Sequence, residues 1–432
     1  MSSDARTFHV QNFGCRAAQA DGAALASRLA VAGLSETARG KADLVVLNTC
    51  TVTAAADEDV RHVILRVHRE NPAARILVTG CYAQRAPDEL AALPGVSWVV
   101  GNSHKTAIPE MFDGGRTPYH GEVRVGDIFE QHQFLSAPVE EAAGDRTRPN
   151  LKIQDGCNNR CSFCIIPSVR GRSRSMPADA VVVQVRTLAA RYREVVLSGI
   201  NLGRWGREAG SGMRLADLVE RLLRETGIER LRLSSIEPMD FSDRLLELMA
   251  GSPRIARHVH APLQSGSDAV LRRMHRKYRP RHYAKRVETA RRLMPDAAIG
   301  ADVMVGFPGE TDAEFEESRA FIENLPFTYL HVFTYSERPG TPAATAPGPV
   351  PLSVRKGRNR VLRELAARKN LGFRRSMVGR ELSVVTLRNG ALSSNFLQVE
   401  LAAPAAPNEL RTVRIGGVSL DGLTEASPFP VL

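Results

Sequence analysis

Six cysteines stand in the 432-residue chain, and half of them crowd into one stretch, IQDGCNNRCSFCIIP, as Cys157, Cys161 and Cys164. Three thiolates on one loop can hold three irons of a [4Fe–4S] cluster and leave the fourth iron open to the donor atoms of a small molecule. Structural zinc is the alternative, but it takes four ligands, commonly in paired C-x2-C units. The next histidine after the loop is His258. Cys15, Cys50 and Cys81 each end an apolar, β-rich run: TFHVQNFGC, ADLVVLNTC and ARILVTGC. Where thiols stay reduced, six cysteines at uneven spacing read as metal ligands before disulfides.

The elements that must position these cysteines alternate in type. QADGAALASRLAVAGL and AADEDVRHVILRVHREN follow the first two runs with helical periodicity, which predicts parallel βαβ units over residues 1–120. Ligands gather at the carboxyl ends of strands in such sheets, so Cys15, Cys50 and Cys81 are expected to meet at one edge. Residues 121–146 lack periodicity and read as a linker. A second series over 147–370 offers six strands, LKIQD, EVVLSG, LRLSS, HVHAPLQ, AIGADVMVGFP and YLHVFTYS, with helical patterns between or after them. It predicts a partial (βα)6 barrel, smaller than the usual eight-unit one. RPGTPAATAPGPVP breaks the pattern before a basic helix, and residues 376–432 read as a small β module.

With Phe163 before its last cysteine, the C-x3-C-x2-C loop resembles the signature of the radical S-adenosylmethionine (SAM) superfamily. The resemblance implies that the open iron chelates SAM, whose cleavage yields a 5′-deoxyadenosyl radical. NTCTVT, VTGCYAQ, GNSHK, VRGRSRSMP, LRLSSIEP, HAPLQSGSDAVLRRMHRKY, MVGFPGETD and FTYSERPGTPA resemble methylthiotransferase motifs, in that family's order along nearly the whole chain. By that resemblance Cys15, Cys50 and Cys81 hold a second [4Fe–4S] cluster that takes part in sulfur insertion. The N-terminal domain is then Rossmann-like and the C-terminal β module a TRAM-like barrel that binds RNA. The resemblance is closest to the MtaB group, which acts on N6-threonylcarbamoyladenosine (t6A) at position 37 in the tRNA anticodon loop. Val52-Thr53-Ala54 follows Cys50, where enzymes acting on isopentenyladenosine tend to carry an Arg-Glu-Lys-like run and those acting on a ribosomal-protein aspartate Gly-Phe-Ile-like residues. An electron donor and a sulfur source are implied partners.

Gly199, Ile200 and Asn201 occupy the place of the superfamily's SAM-contacting strand end, Glu237 and Gln264 stand at later strand ends, and Val305 to Gly309 are candidates to line the adenine. The bland readings are a tight βα turn for the glycines and inter-strand hydrogen bonds for Glu237 and Gln264.

Lys and Arg outnumber Asp and Glu by 58 to 47, a balance that favours a polyanionic partner. Nine basic residues in 354–375 face one acid, Glu364, and 272–286 has no acid. Arg170, Arg172 and Arg174 are placed either to meet phosphates or, in the bland reading, to be solvated on the loop or paired with barrel acids. No run of about 18 apolar residues argues for a spanning helix, and MSSDARTFHV has no signal-like core, so the expected location is the cytoplasm. A rival class is a non-catalytic RNA-binding protein braced by metal.

Overall fold

The structure is a computed structural model that describes residues 5–112, 122–131, 134, 147–208, 210 and 212–427. Most of the expected linker, 121–146, lies outside the described residues. The chain forms two compact units. One holds 1–139, 152–176 and 336–344; the other holds 140–151, 177–335 and 345–432.

In the first unit β1 (Thr7–Asn12), β2 (Ser35–Glu36), β3 (Leu44–Thr49), β4 (Arg75–Gly80), β5 (Val96–Gly101) and β6 (Glu122–Arg124) make one parallel sheet in the order β2-β1-β3-β4-β5-β6. Every residue of β3 and β5 is buried, as continuous apolar runs covered on both faces must be. Val45, Leu47, Val78 and Val99 pack with Val60, Ile64 and Val67 of α2 (Ala54–Glu70). On the opposite face Leu44, Val46, Leu77 and Trp98 pack with Leu25 and Leu29 of α1 (Arg16–Val31). The Thr53 side chain caps α2 by accepting from the Ala56 N–H, which satisfies one of the donors a helix start leaves open. Two short helices follow β4, α3 (Cys81–Arg85) and α4 (Pro87–Ala91). Residues 122–131, within the expected linker, carry β6 and a 3-10 turn at Ile128–Glu130 whose Ile128 is buried.

The second series begins at β7 (Asn150–Asp155), whose residues from Lys152 onward belong to the first unit together with the cysteine loop, α5 (Ile166–Arg170) and β8 (Arg174–Ser175). In the second unit α6 (Ala178–Ala189), β9 (Glu194–Gly199), α7 (Leu215–Glu225), β10 (Arg230–Leu233), α8 (Asp243–Gly251), β11 (His258–His260), α9 (Asp268–Arg273), α10 (Pro280–Leu293), β12 (Ala298–Val305), α11 (Asp312–Asn324) and β13 (Tyr329–Thr334) continue the alternation. β9 pairs parallel with β10, and β12 lies between β11 and β13, also parallel. All six expected barrel strands are present. The 24-residue α12 (Leu352–Arg375) leads into β14 (Glu381–Thr386), β15 (Ala391–Ser393), β16 (Gln398–Glu400), β17 (Leu410–Val418) and β18 (Leu423–Glu425), which close into a small barrel.

That barrel docks on the strand starts of its own unit through charge. Glu194, fully buried, meets Arg232 at 2.8 Å, Arg148 at 3.2 Å and Arg230 at 3.4 Å. Burial opposes its ionisation, yet Arg232 and the other arginines hold its pKa down at about 2. Arg232 spends its remaining N–H groups on the Ser393 and Ser394 carbonyls, and Arg230 donates to the Ser383 hydroxyl. Removing one partner of a buried pair strands the other charge, at about 3–5 kcal/mol. Glu194→Ala is therefore expected to lower unfolding stability by that much in denaturant titrations. A loss below about 1 kcal/mol, as for an exposed pair, would show that this ion network does not fasten the module.

Candidate metal and cofactor site

Both cysteine trios belong to the first unit, and each is introduced in the same way. Gly14, Gly80 and Gly156 precede Cys15, Cys81 and Cys157 with φ of +85°, +102° and +70°, a left-handed or mirror region that side chains resist. At Gly14 an added Cβ would lie 2.5 Å from Cys50 Cβ and 2.6 Å from its sulfur. At Gly156 it would lie 2.0 Å from the Arg172 carbonyl oxygen. The bare backbone is what lets β1 end against the Cys50 side chain, and β7 turn tightly into the cysteine loop.

Cys50 immediately follows β3, Cys81 opens α3 and Cys15 stands just ahead of α1, as the strand-end reading predicts. Burial, with Cys81 and Cys15 close by, pushes the Cys50 thiol up to about 12. A thiol buried like that of Cys50 stays protonated unless a cation binds beside it, and a coordinating metal deprotonates a thiol outright. The donor set thus fits an iron–sulfur cluster. In the other trio, the Cys157 N–H donates to the Gly171 carbonyl at 3.1 Å and the Cys164 N–H to the Cys161 carbonyl at 3.1 Å. The Ala343 N–H donates to the Ser162 carbonyl at 2.8 Å, so the SERPGTPA motif braces the loop.

Arg170 joins the surroundings of the two trios. Its guanidinium is 2% exposed, donates from Nε to Cys81 Sγ at 3.3 Å and from Nη1 to Asp155 Oδ1 at 2.9 Å, and lies 3.0 Å from Asp21 Oδ2. Asp21 is in α1 beyond Cys15, and Asp155 ends β7 ahead of Cys157. Lys152 pairs with both acids, at 2.9 Å from Asp155 and closer to Asp21. Burial opposes ionisation of both carboxyls, but Lys152 and Arg170 hold each below the usual carboxylate range. Lys105 is the weaker member: 3.4 Å from Asp21 and buried beside like charges, its ammonium is pushed down. Cys81 also packs with Ile165 and Val169, which directly follow the Cys157 loop, and Asn102 donates to the Val169 carbonyl at 2.7 Å.

The sequence reading offered Arg170 either phosphate or an acid, and burial among acids decides for the acids. Arg174 is likewise engaged, donating to the Gln131 and Arg170 carbonyls at 2.9 and 3.0 Å, whereas Arg172 is exposed. Arg338, from the SERPGTPA motif, reaches Asp57 at 2.6 Å and the Thr51 carbonyl at 3.3 Å, behind Cys50. Asp21, Lys152, Asp57 and Arg338 were not singled out in the sequence. Asp21, Asp57 and Lys152 stand near Cys15, Cys50 and Cys157 along the chain, whereas Arg338 lies within the FTYSERPGTPA motif.

The expected SAM contacts lie in the second unit. Gly199 ends β9, with Ile200 next and Asn201 buried before a 3-10 turn. Glu237 pairs with Arg276, whose Nε donates to the Tyr278 hydroxyl at 3.2 Å; that hydroxyl donates to the Leu263 carbonyl at 2.7 Å. This chain of bonds brings Glu237 and the Gln264 segment together. Gln264 holds φ at +66°, a strained value for a residue with a side chain, of the kind that clusters at functional sites. Within VGFPG, Val305 and Phe307 are buried and the Arg355 stem covers Gly306.

Residues 151–322 match the Radical SAM superfamily and residues 7–101 match Uncharacterized protein family UPF0004. The fold is similar to that of the radical S-adenosylmethionine methyltransferase TsrM from Kitasatospora setae, with a TM-score of 0.54 at 17% identity, over 79% of this chain and 77% of that one. The fold and the open three-cysteine loop define a radical SAM enzyme. More narrowly, the chain is 36% identical to threonylcarbamoyladenosine tRNA methylthiotransferase MtaB of Aquifex aeolicus, over 90% of this chain and 95% of that protein. It is 35% identical to tRNA-2-methylthio-N(6)-dimethylallyladenosine synthase of Thermobifida fusca, over 99% and 88%. The chain belongs to the radical SAM methylthiotransferase family, whose chemistry uses SAM and two [4Fe–4S] clusters.

Gly14→Ala is expected to cost the Cys15–Cys50–Cys81 cluster, lowering reconstituted iron from about eight to about four per chain. Iron analysis checks it, and unchanged iron would show that the Gly14 turn does not shape that trio. Arg170→Gln is expected to lower stability by about 3–5 kcal/mol, with Arg170→Lys recovering little because an ammonium cannot span three partners as a planar fork does. Denaturant midpoints measure both.

Proposed function

We propose that this enzyme methylthiolates C2 of N6-threonylcarbamoyladenosine at position 37 of tRNA. Cys157, Cys161 and Cys164 hold the SAM-binding cluster, and Cys15, Cys50 and Cys81 hold the second. The observation that carries the ligand assignment is the pairing of two trios in one compact unit, tied by Arg170 to a common ion network. When bound, SAM and the clusters supply the radical, the methyl group and the sulfur transfer. The chain's own part is to hold each thiolate set, to keep Asp21 and Asp155 ionised beside them, and to exclude water from the thiols at Cys50 and Cys81, both buried. Gly199, Ile200, Asn201, Glu237 and Gln264 are the proposed SAM contacts.

The similar identities to the two tRNA-modifying relatives do not separate the substrates. What favours t6A is the Val52-Thr53-Ala54 sequence after Cys50, where Thr53 serves as the α2 cap. In the second unit the nucleotide partner is met by basic groups of α12 that remain exposed, Lys356, Arg360, Arg363 and Arg375. The 272–286 run is a weaker candidate, because Arg273, Arg276, Arg279 and Arg286 pair with Glu314, Glu237, Asp268 and Asp243. An anticodon loop suits such a surface, since its unstacked bases are read single-stranded while cations hold the phosphates.

Mass spectrometry of tRNA nucleosides from a deletion strain tests the substrate. Loss of 2-methylthio-t6A, restored by the wild-type gene, is expected; its persistence, or loss of the isopentenyl counterpart instead, overturns the assignment. Anaerobic reconstitution should give about eight irons per chain. A Cys157→Ala, Cys161→Ala, Cys164→Ala variant should keep about four and release no 5′-deoxyadenosine from SAM; retained cleavage would place the SAM site elsewhere.

A further inference from the structure

A second set of ligand-type side chains lies in the second unit, on the β11–β12–β13 sheet. Alternate residues of a strand share a face, and pairing places Gly300 opposite both His260 and Tyr329, and Asp302 opposite His331. His260, Asp302 and His331 therefore sit on one face of three adjacent strands. His260 Nε2 lies 3.3 Å from Asp302 Oδ1, and His331 Nδ1 lies 3.1 Å from the same oxygen. All three ligand atoms fall within 4.8 Å of one another. Around a tetrahedral zinc, nitrogen at about 2.0–2.1 Å and oxygen at about 2.0–2.2 Å stand roughly 3.3–3.5 Å apart, so these separations need little adjustment to accept an ion.

The surroundings hold this set in place. Tyr329 lies across Gly300, where an added Cβ would meet the ring at 1.9 Å. Its ring stacks on His260 at 5.8 Å with 13° between planes, and its hydroxyl is 2.7 Å from His258 Nε2. His258 stacks in turn on Phe396 at 4.4 Å. One side of the cluster is thus a packed aromatic floor. The other is open: the His331 side chain is 52% exposed, and Phe333, two residues farther along the same face, is 47% exposed.

We infer that His260, Asp302 and His331 form a divalent-cation site of two imidazoles and one carboxylate, suited to zinc, with its remaining coordination position facing the exposed side. This assignment is independent of which nucleoside the enzyme modifies. Nitrogen and carboxylate donors separate it from both cysteine trios, which are sulfur sites. An ion there would act as a Lewis acid or carry a coordinated water toward whatever enters that face.

The cluster-loaded enzyme is equilibrated with zinc chloride, gel-filtered, and analysed for zinc and iron and by zinc K-edge absorption. About one zinc per chain is expected, with nitrogen and oxygen scatterers at about 2.0–2.1 Å. His260→Gln and His331→Ala should retain at least tenfold less zinc at unchanged iron and unchanged circular dichroism. A shell of sulfur at about 2.3 Å, zinc retention equal in wild type and both variants, or no retained zinc overturns the site. The wild-type absorption decides the matter even if a variant fails to fold.

Discussion

The first unit depends on one buried guanidinium. Arg170 contacts an acid from α1, an acid from β7 and a thiol from α3, so three segments far apart in sequence are fixed by a single side chain. Its charge is favoured despite complete burial, because Cys81, Asp155 and Asp21 face it. Arginine suits the position because its planar fork offers several donors in fixed directions. An apolar core could have joined the same segments more cheaply, since burying ions costs several kcal/mol each. Among the described residues, the basic groups Arg170, Lys152, Arg174 and Lys105 share two carboxylates, Asp21 and Asp155. This excess of basic groups lies beside Cys81, where it would offset negative charge brought by a cluster held there.

Asp57 plays the corresponding part behind Cys50. Arg85 and Arg338 both pair with it, at 3.1 and 2.6 Å, and Arg85 also donates to the Thr51 hydroxyl. The SERPGTPA motif, some 280 residues away along the chain, thereby enters the environment of a cysteine loop that it does not follow in sequence. Motifs that look separate along the chain are parts of one electrostatic structure within the unit.

Much of this was legible beforehand. The strands that end in cysteine, the six barrel strands and the closing β module follow from apolar runs of the right length, because strand burial leaves a direct trace in composition. β5, VSWVVG, carried the same signal but no chemistry at its end, and it escaped notice. The Gly-Cys pairs at 14–15, 80–81 and 156–157 were also in plain view, but a glycine announces a special φ only once its neighbours are known. Arg170 could not be assigned from sequence, since a basic residue after a cysteine loop reads equally as a phosphate ligand or an ion-pair partner. Which it is depends on Asp21, about 150 positions away. The His260–Asp302–His331 set was invisible for a related reason. Its members come from three strands, and only the register brings them together.

The docking of the β module bears on how any surface it carries can operate. A module on a flexible linker raises the local concentration of what it holds but does not orient it. Here Glu194, Arg230 and Arg232 lock β14 and the Ser393–Ser394 turn to the starts of β9 and β10, while the Asn408 side chain accepts from the Arg193 N–H at 3.0 Å and donates to the Arg191 carbonyl at 2.7 Å. Arg380, Arg388, Arg411 and Arg414 remain exposed on the module. Those four arginines are thus carried in fixed register with the barrel strands of the same unit. A partner that binds them meets a surface set before it arrives, so the ordering cost of a swinging domain is not charged against binding.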